Sequence, residues 1–198
     1  MSDAAAPAIV VLASGSGTLA QAIFDASAAD GDFTVAALIT DKPQATVVQR
    51  AQAAGISVIT VPVGDYPDRA DWDAALAQVL DEVSPALVVS AGFMRILGAE
   101  VLARYAGCII NSHPSLLPLF PGAHAVRDAL AAGVTETGTT VHLVDAGMDT
   151  GEVLAQVTEP IAPGDTEESL HERIKAHERH LIVAVLRQRL GLSRKTQH

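Results

Sequence analysis

Short apolar runs alternate with amphipathic stretches along the first half of the chain. The apolar runs, rich in Val, Ile, Leu and Ala, occupy residues 9–13, 33–40, 57–61, 86–90 and 108–110. Runs of this length and composition predict buried strands. Helical periodicity between them predicts helices at residues 19–29, 46–54, 98–105 and from 72 onward. Strands that alternate with helices indicate a parallel sheet covered by helices on both faces.

The second half has a different pattern. A helix at residues 123–132 is followed by two predicted strands, 137–144 and 153–159, which bracket a glycine-containing loop at 145–151. A last helix should start at a capping box formed by Asp165 and Glu168 and run to about residue 190. Its apolar face is predicted to carry Leu170, Ile174, Leu181 and Val185.

These elements predict a single doubly wound α/β domain. Its sheet should be mostly parallel and flanked by helices, with mixed strands in the carboxyl-terminal half. The domain is expected to divide into a loose tail at residues 1–7, an amino-terminal half at 8–105, a second half at 106–190 and a tail at 191–198.

Composition narrows the classes of partner. Apolar residues make up 49% of the chain and aromatic residues only 4%, so the core must consist mainly of Ala, Val, Leu and Ile. The net charge of −10 disfavours nucleic acid, whose affinity depends on cations that neutralise phosphates. No apolar run is long enough to span a membrane, so a cytoplasmic protein is expected. The single cysteine, Cys108, is interpreted as a small core residue.

A glycine-rich loop, residues 14–18, joins the first strand to the first helix. Free N–H groups at such a helix start bind anions, so a phosphate site is predicted here. The pattern Gly15-x-Gly17-x-x-Ala20 also satisfies a dinucleotide fingerprint, which leaves an NAD(P)-dependent dehydrogenase as an alternative. Against this alternative, Asp41 lies 26 residues beyond Gly15, whereas about 20 is usual. A tight turn that only seats the helix is a third interpretation.

The stretch from Cys108 to His124 carries the strongest candidate chemistry. Asn111 and His113 follow an apolar run and would point to one side of a continued strand, and Pro114 begins a stiff loop. An amide can donate to a developing oxyanion, and an imidazole can move a proton near neutral pH. This pair suits acyl or formyl transfer to an amine. The alternative is that Asn111 caps a turn and His113 packs against prolines.

The same stretch resembles the signature of the folate-dependent formyltransferases. The similar residues are Asn111-Ser112-His113-Pro114-Ser115-Leu116-Leu117-Pro118, then Phe120-Pro121-Gly122 and His124. The Pro-Gly-x-His continuation is most similar to the branch that formylates glycinamide ribonucleotide in purine biosynthesis. The resemblance implies formyl transfer from the co-substrate 10-formyltetrahydrofolate to 5-phosphoribosylglycinamide, without a metal. Another folate-dependent formyltransferase or a formyl hydrolase remains an alternative, as does a non-catalytic sugar-phosphate-binding module.

The resemblance also implies roles for individual residues. Catalysis falls to Asn111, His113 and Asp149, with Asp149 facing His113 and favouring its protonated form. The ribonucleotide contacts are Gly17, Thr18, Leu19, Lys175, Ala176, His177 and Glu178. The folate contacts are Arg69, Met94, Arg95, Ile96, Leu97, Asn111, Asp145, Ala146, Gly147, Met148 and Asp149. Leu19 and Lys175 depart from the family pattern, which has Asn and Gln there.

Several histidines and one short helix have more than one interpretation. His142 belongs to the strand at 137–144, where it can line the site or pack in the core. His171, His177 and His180 lack the cysteines and spacing of a metal motif, so no metal site is predicted. The apolar residues of the helix at 98–105 can serve either the core or a homodimer contact.

Overall fold

A seven-stranded sheet organises the protein, as seen in a computed structural model that describes residues 5–192. Residues 1–4 and 193–198, which include most of the two predicted tails, lie outside the described part. The strands are β1 (Ala8–Leu12), β2 (Thr34–Thr40), β3 (Val58–Thr60), β4 (Leu87–Ser90), β5 (Ile109–His113), β6 (Glu136–Leu143) and β7 (Val153–Pro160). The helices are α1 (Thr18–Asp30), α2 (Thr46–Ala53), α3 (Arg69–Val83), α4 (Ala99–Arg104), α5 (Ala125–Ala132) and α6 (Glu167–Arg189). None of these helices has the length and apolar character that crossing a membrane requires.

The sheet confirms the predicted fold class. Its strand order is β3-β2-β1-β4-β5-β6-β7. The first five strands in this order are parallel, whereas β6 is antiparallel to both β5 and β7. The chain order reverses between β1 and β4, and in such sheets ligands bind beyond the carboxyl ends of the strands next to the reversal. The glycine-rich loop after β1 and the polar end of β5 are therefore brought to one edge.

Helices cover both faces of the sheet because alternate strand residues point to opposite sides. On one face, Val11, Val89 and Ile110 pack with residues of α1 and α6. On the other face, Val10, Leu12, Val88 and Ile109 pack with residues of α3 that include Trp72 and Leu76. Helices α1 and α6 thus cover the same face of the sheet.

Cys108 corrects one expectation, because its side chain is exposed rather than part of the core. The strand β5 begins one residue later, at Ile109. The main chain at Cys108 is nevertheless bound to its neighbours, since its carbonyl accepts from the N–H of Val88 at 2.9 Å. The apolar run therefore predicted the pairing of this segment correctly, and only its first side chain was assigned to the wrong environment.

The start of α6 corrects another expectation. The capping box is formed by Thr166 and Ser169, one residue beyond the predicted pair. Asp165 instead accepts hydrogen bonds from Arg173, and these bonds hold the pKa of its carboxyl well below the usual value. Glu168 is exposed. The predicted register failed because the carboxylate of Asp165, next to the cap, is bound by Arg173, which is eight residues further along the chain.

The apolar face of α6 differs from the prediction at one position. Leu170, Ile174 and Val185 are buried as predicted, but Leu181 is only partly buried and Ile182 is fully buried. Ile182 lies eight residues after Ile174, which keeps it on the same helical stripe.

Candidate active site

The strand β5 continues through Asn111 to His113, so the side chains of these two residues point to one face of the sheet and that of Ser112 to the other. In the antiparallel ladder with β6, Asn111 lies opposite His142 and His113 opposite Thr140. Directly opposed residues share a face of the sheet. This pairing places three polar groups, an amide and two imidazoles, next to one another at the carboxyl end of β5.

His113 is buried and lies between two oxygens. Its Nδ1 is 3.4 Å from Oδ2 of Asp149, and its Nε2 is 2.8 Å from the carbonyl oxygen of Phe120. The same Asp149 oxygen accepts a hydrogen bond of 2.8 Å from the N–H of Gly122. Asp149 lies near the end of the 145–151 loop and has φ of +56°. Residues other than glycine adopt this left-handed conformation rarely, and only where surrounding contacts stabilise it. Each nitrogen of the His113 ring thus has an oxygen near it.

His142, which the sequence left between two interpretations, lies in this site. Burial lowers the pKa of the His142 ring, and the hydrogen bond to the Leu143 carbonyl and the charge of Asp149 offset this only in part. A neutral ring donates from Nδ1 to the Leu143 carbonyl, 2.8 Å away, and accepts at Nε2 from the Asn111 amide, 3.2 Å away. His142 therefore orients the amide of Asn111.

The glycine-rich loop has the geometry of an anion site. Gly17 has φ of +73°, and a Cβ there would lie 2.5 Å from Cγ2 of Val47, so only glycine fits. Helix α1 starts at Thr18 without a side-chain cap and without an acidic residue in its first turn. Its first N–H groups and the positive end of its dipole are thus open to an anion. Leu19 packs partly into the core, so it offers the loop only its main chain.

Glu178 is the one predicted ribonucleotide residue of α6 that reaches β5. It is buried, and its Oε1 accepts a hydrogen bond of 2.8 Å from the hydroxyl of Ser112. This contact lies on the face opposite to His113, on the side covered by α1 and α6. Glu178 is thus tied to the residue between Asn111 and His113.

The neighbouring predicted residues of α6 are engaged elsewhere. Nζ of Lys175 lies 2.7 Å from Oε1 of Glu172 on the same helix. Nε2 of His177 lies 2.9 Å from Oε2 of Glu159 on β7, and Ala176 is exposed. The structure therefore does not bring these three side chains together with Glu178 at the end of β5.

Five of the predicted folate residues form one wall of an open cavity of about 730 Å³. The lining includes Arg69, Met94, Arg95, Ile96 and Leu97. Arg69 donates to the Ile96 carbonyl at 2.6 Å and lies over the ring of Trp72, with its guanidinium carbon 4.3 Å from the ring centroid. Met94 and Ile96 are 67% and 71% exposed, which is unusual for large apolar side chains. This wall, residues 94–97 with Arg69, combines apolar surface with cations.

Apart from Asn111, which lies on β5, the remaining predicted folate residues lie in the 145–151 loop. This loop approaches His113 through Asp149. Asp145 shapes this loop, because its Oδ1 accepts from the N–H of Gly147 at 3.0 Å and from the hydroxyl of Thr150 at 2.8 Å. Ala146, Gly147 and Met148 are exposed. Apart from Asn111, the predicted folate residues thus form two groups, a wall and a loop.

Asp41 is unavailable for the role that a dehydrogenase would give it. Its side chain is fully buried, and both of its oxygens are bound: Oδ1 accepts from the Ser14 hydroxyl at 2.5 Å and Oδ2 from Nε of Arg95 at 2.7 Å. Because both Asp41 oxygens are bound within the protein, Asp41 does not serve as the ribose ligand that the dinucleotide interpretation requires.

Histidines outside this site have other partners. Nδ1 of His180 lies 2.8 Å from the carbonyl of Ala176, and His177 is bound to Glu159. Within residues 5–192, no three His, Cys, Asp or Glu side chains are grouped in a way that could hold a metal ion.

The chain is similar in sequence to known proteins. Residues 8–186 match the family described as formyl transferase. The phosphoribosylglycinamide formyltransferase of Mycobacterium tuberculosis (strain CDC 1551 / Oshkosh) is 51% identical over 91% of this chain and 84% of its own length. That of Bacillus subtilis (strain 168) is 41% identical over 93% of this chain and 95% of its own length.

Solved structures agree with these sequence matches. The glycinamide ribonucleotide transformylase 1 of Symbiobacterium toebii superposes with a TM-score of 0.90 and 41% identity, covering 93% of this chain and 88% of that one. The corresponding protein of Geobacillus kaustophilus gives a TM-score of 0.88 and 45% identity, covering 93% and 98%. The resemblance seen in the sequence is thereby confirmed, and the chain belongs to the formyl transferase family.

Proposed function

We propose that this protein transfers a formyl group from 10-formyltetrahydrofolate to the amine of 5-phosphoribosylglycinamide. The observation that carries the proposal is the convergence of Asn111, His113 and Asp149 at the end of β5, with the His113 ring 3.4 Å from the Asp149 carboxylate. The names of the similar proteins support this choice among the reactions of the family. The product is formylglycinamide ribonucleotide, a step of purine biosynthesis.

Three residues carry the chemistry. The Asn111 amide keeps one N–H for the oxyanion that develops when the amine adds to the formyl carbon, because the other N–H is donated to His142. His113 supplies a proton to the leaving folate nitrogen and regains a proton from the amine that has added to the formyl carbon. Asp149 favours the charged ring and fixes its orientation. The Nε2–H of His113 is donated to the Phe120 carbonyl, so a folate nitrogen that displaces this carbonyl would receive the proton.

Both halves of the chain contribute to ribonucleotide binding. In residues 8–105, the N–H groups at Gly17, Thr18 and Leu19 take the phosphate at the start of α1. In residues 106–190, Glu178 takes the ribose hydroxyls with the carboxylate oxygen that Ser112 does not bind.

The folate binds between the wall and the 145–151 loop. Arg69 and Arg95 provide cations for the carboxylates of its glutamate tail, and the exposed Met94 and Ile96 provide apolar surface for its rings. The loop closes the other side and brings Asp149 to His113.

Incubation of the purified protein with both substrates tests the proposal. Formylated ribonucleotide, detected by mass spectrometry, is expected in the wild type and is expected to fall at least about 100-fold in His113→Asn. His180→Asn, which changes an exposed histidine of α6, is the matched control and should retain activity. Formate release without ribonucleotide would instead identify a formyl hydrolase. Oxidation of NADPH would identify a dehydrogenase, and phosphate-dependent binding without any product would identify a binding module.

A further inference from the structure

The carboxylate of Asp41 connects the two predicted substrate sites. It follows β2 and is buried between the glycine-rich loop and the folate wall, with Ser14 bound to one oxygen and Arg95 to the other. Ser14 opens the loop that holds the phosphate site, and Arg95 belongs to the wall. Each predicted site thus contains a residue that is hydrogen-bonded to the buried Asp41 carboxylate.

Ser14 extends the connection to the main chain of the wall. Its hydroxyl donates to Asp41 and at the same time accepts from the N–H of Met94 at 3.1 Å. Its own N–H donates to the carbonyl of Gly92 at 3.1 Å. Because a hydroxyl has one hydrogen, its donation to Asp41 leaves only lone pairs facing Met94. Asp41 therefore determines that Ser14 acts as the acceptor of the Met94 N–H.

The hydrogen bonds to Asp41 favour the ionised form of its carboxyl. Burial raises the pKa of the Asp41 carboxyl, but the hydrogen bonds from Ser14 and Arg95 and the charge of Arg95 outweigh it and leave the pKa below its usual value. Arg95 is the cation that faces Asp41, and its side chain is 37% exposed at the cavity. A buried ion pair contributes little net stability compared with an apolar replacement, so its value lies in the geometry that it fixes.

We infer that Asp41 is a positioning residue that fixes the folate wall relative to the phosphate loop, through the Ser14 hydroxyl and the Arg95 guanidinium. The inference rests on the proposed function for the identity of the two ligands. With Asp41 in place, the Met94 N–H and the Arg95 side chain are already ordered when the folate arrives, so binding does not require their ordering. Without Asp41, folate binding should weaken more than the chemical step slows.

The first test is steady-state kinetics with both substrates. Asp41→Ala is expected to raise the KM for 10-formyltetrahydrofolate about tenfold while kcat changes less than about threefold. Asp41→Asn keeps one acceptor oxygen and the side-chain shape, and it should restore most of the affinity. Ser14→Ala deletes only the hydroxyl and should raise the same KM. If Asp41→Ala does not fold, the folate KM of Ser14→Ala tests the inference instead. Asp81→Asn, which alters the exposed ion pair with Arg104, is the matched control and should leave the KM unchanged.

The second test does not depend on activity. Hydrogen exchange of the Met94 amide in the protein without substrates should be slow in the wild type and faster in Asp41→Ala and Ser14→Ala. If the wild type forms no product, the proposed function fails and the exchange result alone decides this inference. An unchanged folate KM in folded Asp41→Ala and Ser14→Ala, or equal exchange in all proteins, overturns it. A fall in kcat as large as the rise in KM would also overturn it.

Discussion

The hydroxyl of Ser112 donates a hydrogen bond of 2.8 Å to Oε1 of Glu178, on the face of β5 opposite to His113. The last three residues of β5 thus serve both faces of the sheet: Asn111 and His113 on one, Ser112 on the other. Since Glu178 is buried, its carboxylate depends on this hydroxyl for orientation.

Ser112→Ala should therefore weaken ribonucleotide binding. Loss of one hydrogen bond to a carboxylate is expected to raise the KM for 5-phosphoribosylglycinamide roughly 3- to 10-fold, with little effect on kcat. Initial rates at saturating folate measure this. Ser57→Ala, at an exposed serine, is the control. An unaltered KM in Ser112→Ala would show that Glu178 is held without Ser112.

Asp149→Asn should reduce turnover strongly. The amide keeps the shape of the side chain but removes the charge that faces His113 at 3.4 Å, so kcat should fall by on the order of 10²- to 10⁴-fold. Single-turnover formyl transfer measures the loss. The exposed neighbour Glu152, changed to Gln, should leave the rate intact. An Asp149→Asn rate equal to wild type would remove Asp149 from the mechanism.

His142 should make stability depend on pH. Because burial lowers its pKa in the folded state, the unfolded chain binds more protons below the ordinary value of about 6.5. The free energy of unfolding should thus be highest above this pH and decrease as the pH falls, by at most about 1.4 kcal/mol per pH unit for one group. Burial also lowers the pKa of His171, which adds a contribution of the same sign.

Urea unfolding between pH 5.5 and 7.5 measures this dependence. His142→Gln removes the titrating group and should reduce the slope of stability against pH, whatever its effect on stability itself. His180→Gln, at an exposed position, serves as the reference variant. Equal slopes in wild type and His142→Gln would contradict the neutral ring described for His142.

Two glycines of the glycine-rich loop should respond differently to alanine. Gly17→Ala forces a side chain into a left-handed conformation and against Val47, so it should cost at least about 1 kcal/mol and weaken phosphate binding. Gly15 has open space around its Cβ position, and Gly15→Ala should change stability by less than about 0.5 kcal/mol. Thermal unfolding with and without the ribonucleotide compares them. Equal losses would mean that the loop tolerates no side chain at all.

Much of the fold could be predicted because its signals are local. The apolar run before Asn111 and the glycines after β1 specify a strand and a helix start without reference to distant residues. The alternation of Asn111 and His113 follows from strand geometry alone. Asp149 could be assigned to His113 only through the family resemblance, because a contact between distant segments has no local signal.

The features that were missed depend on three-dimensional context. Asp41 was weighed as a ribose ligand, but the fold brings Arg95 and Ser14 to it from two other loops. His142 could not be placed until the pairing of β5 with β6 was known. Cys108 looked like core because its neighbours are apolar, although burial is determined by where a strand enters the sheet.

The alternation at the end of β5 limits how this enzyme can change. A shift or rotation of this strand that improved the fit of the sugar would displace the amide and imidazole by the same amount, since one backbone carries both. New substrate preferences should therefore arise through the flanking loops, where insertions leave the strand untouched.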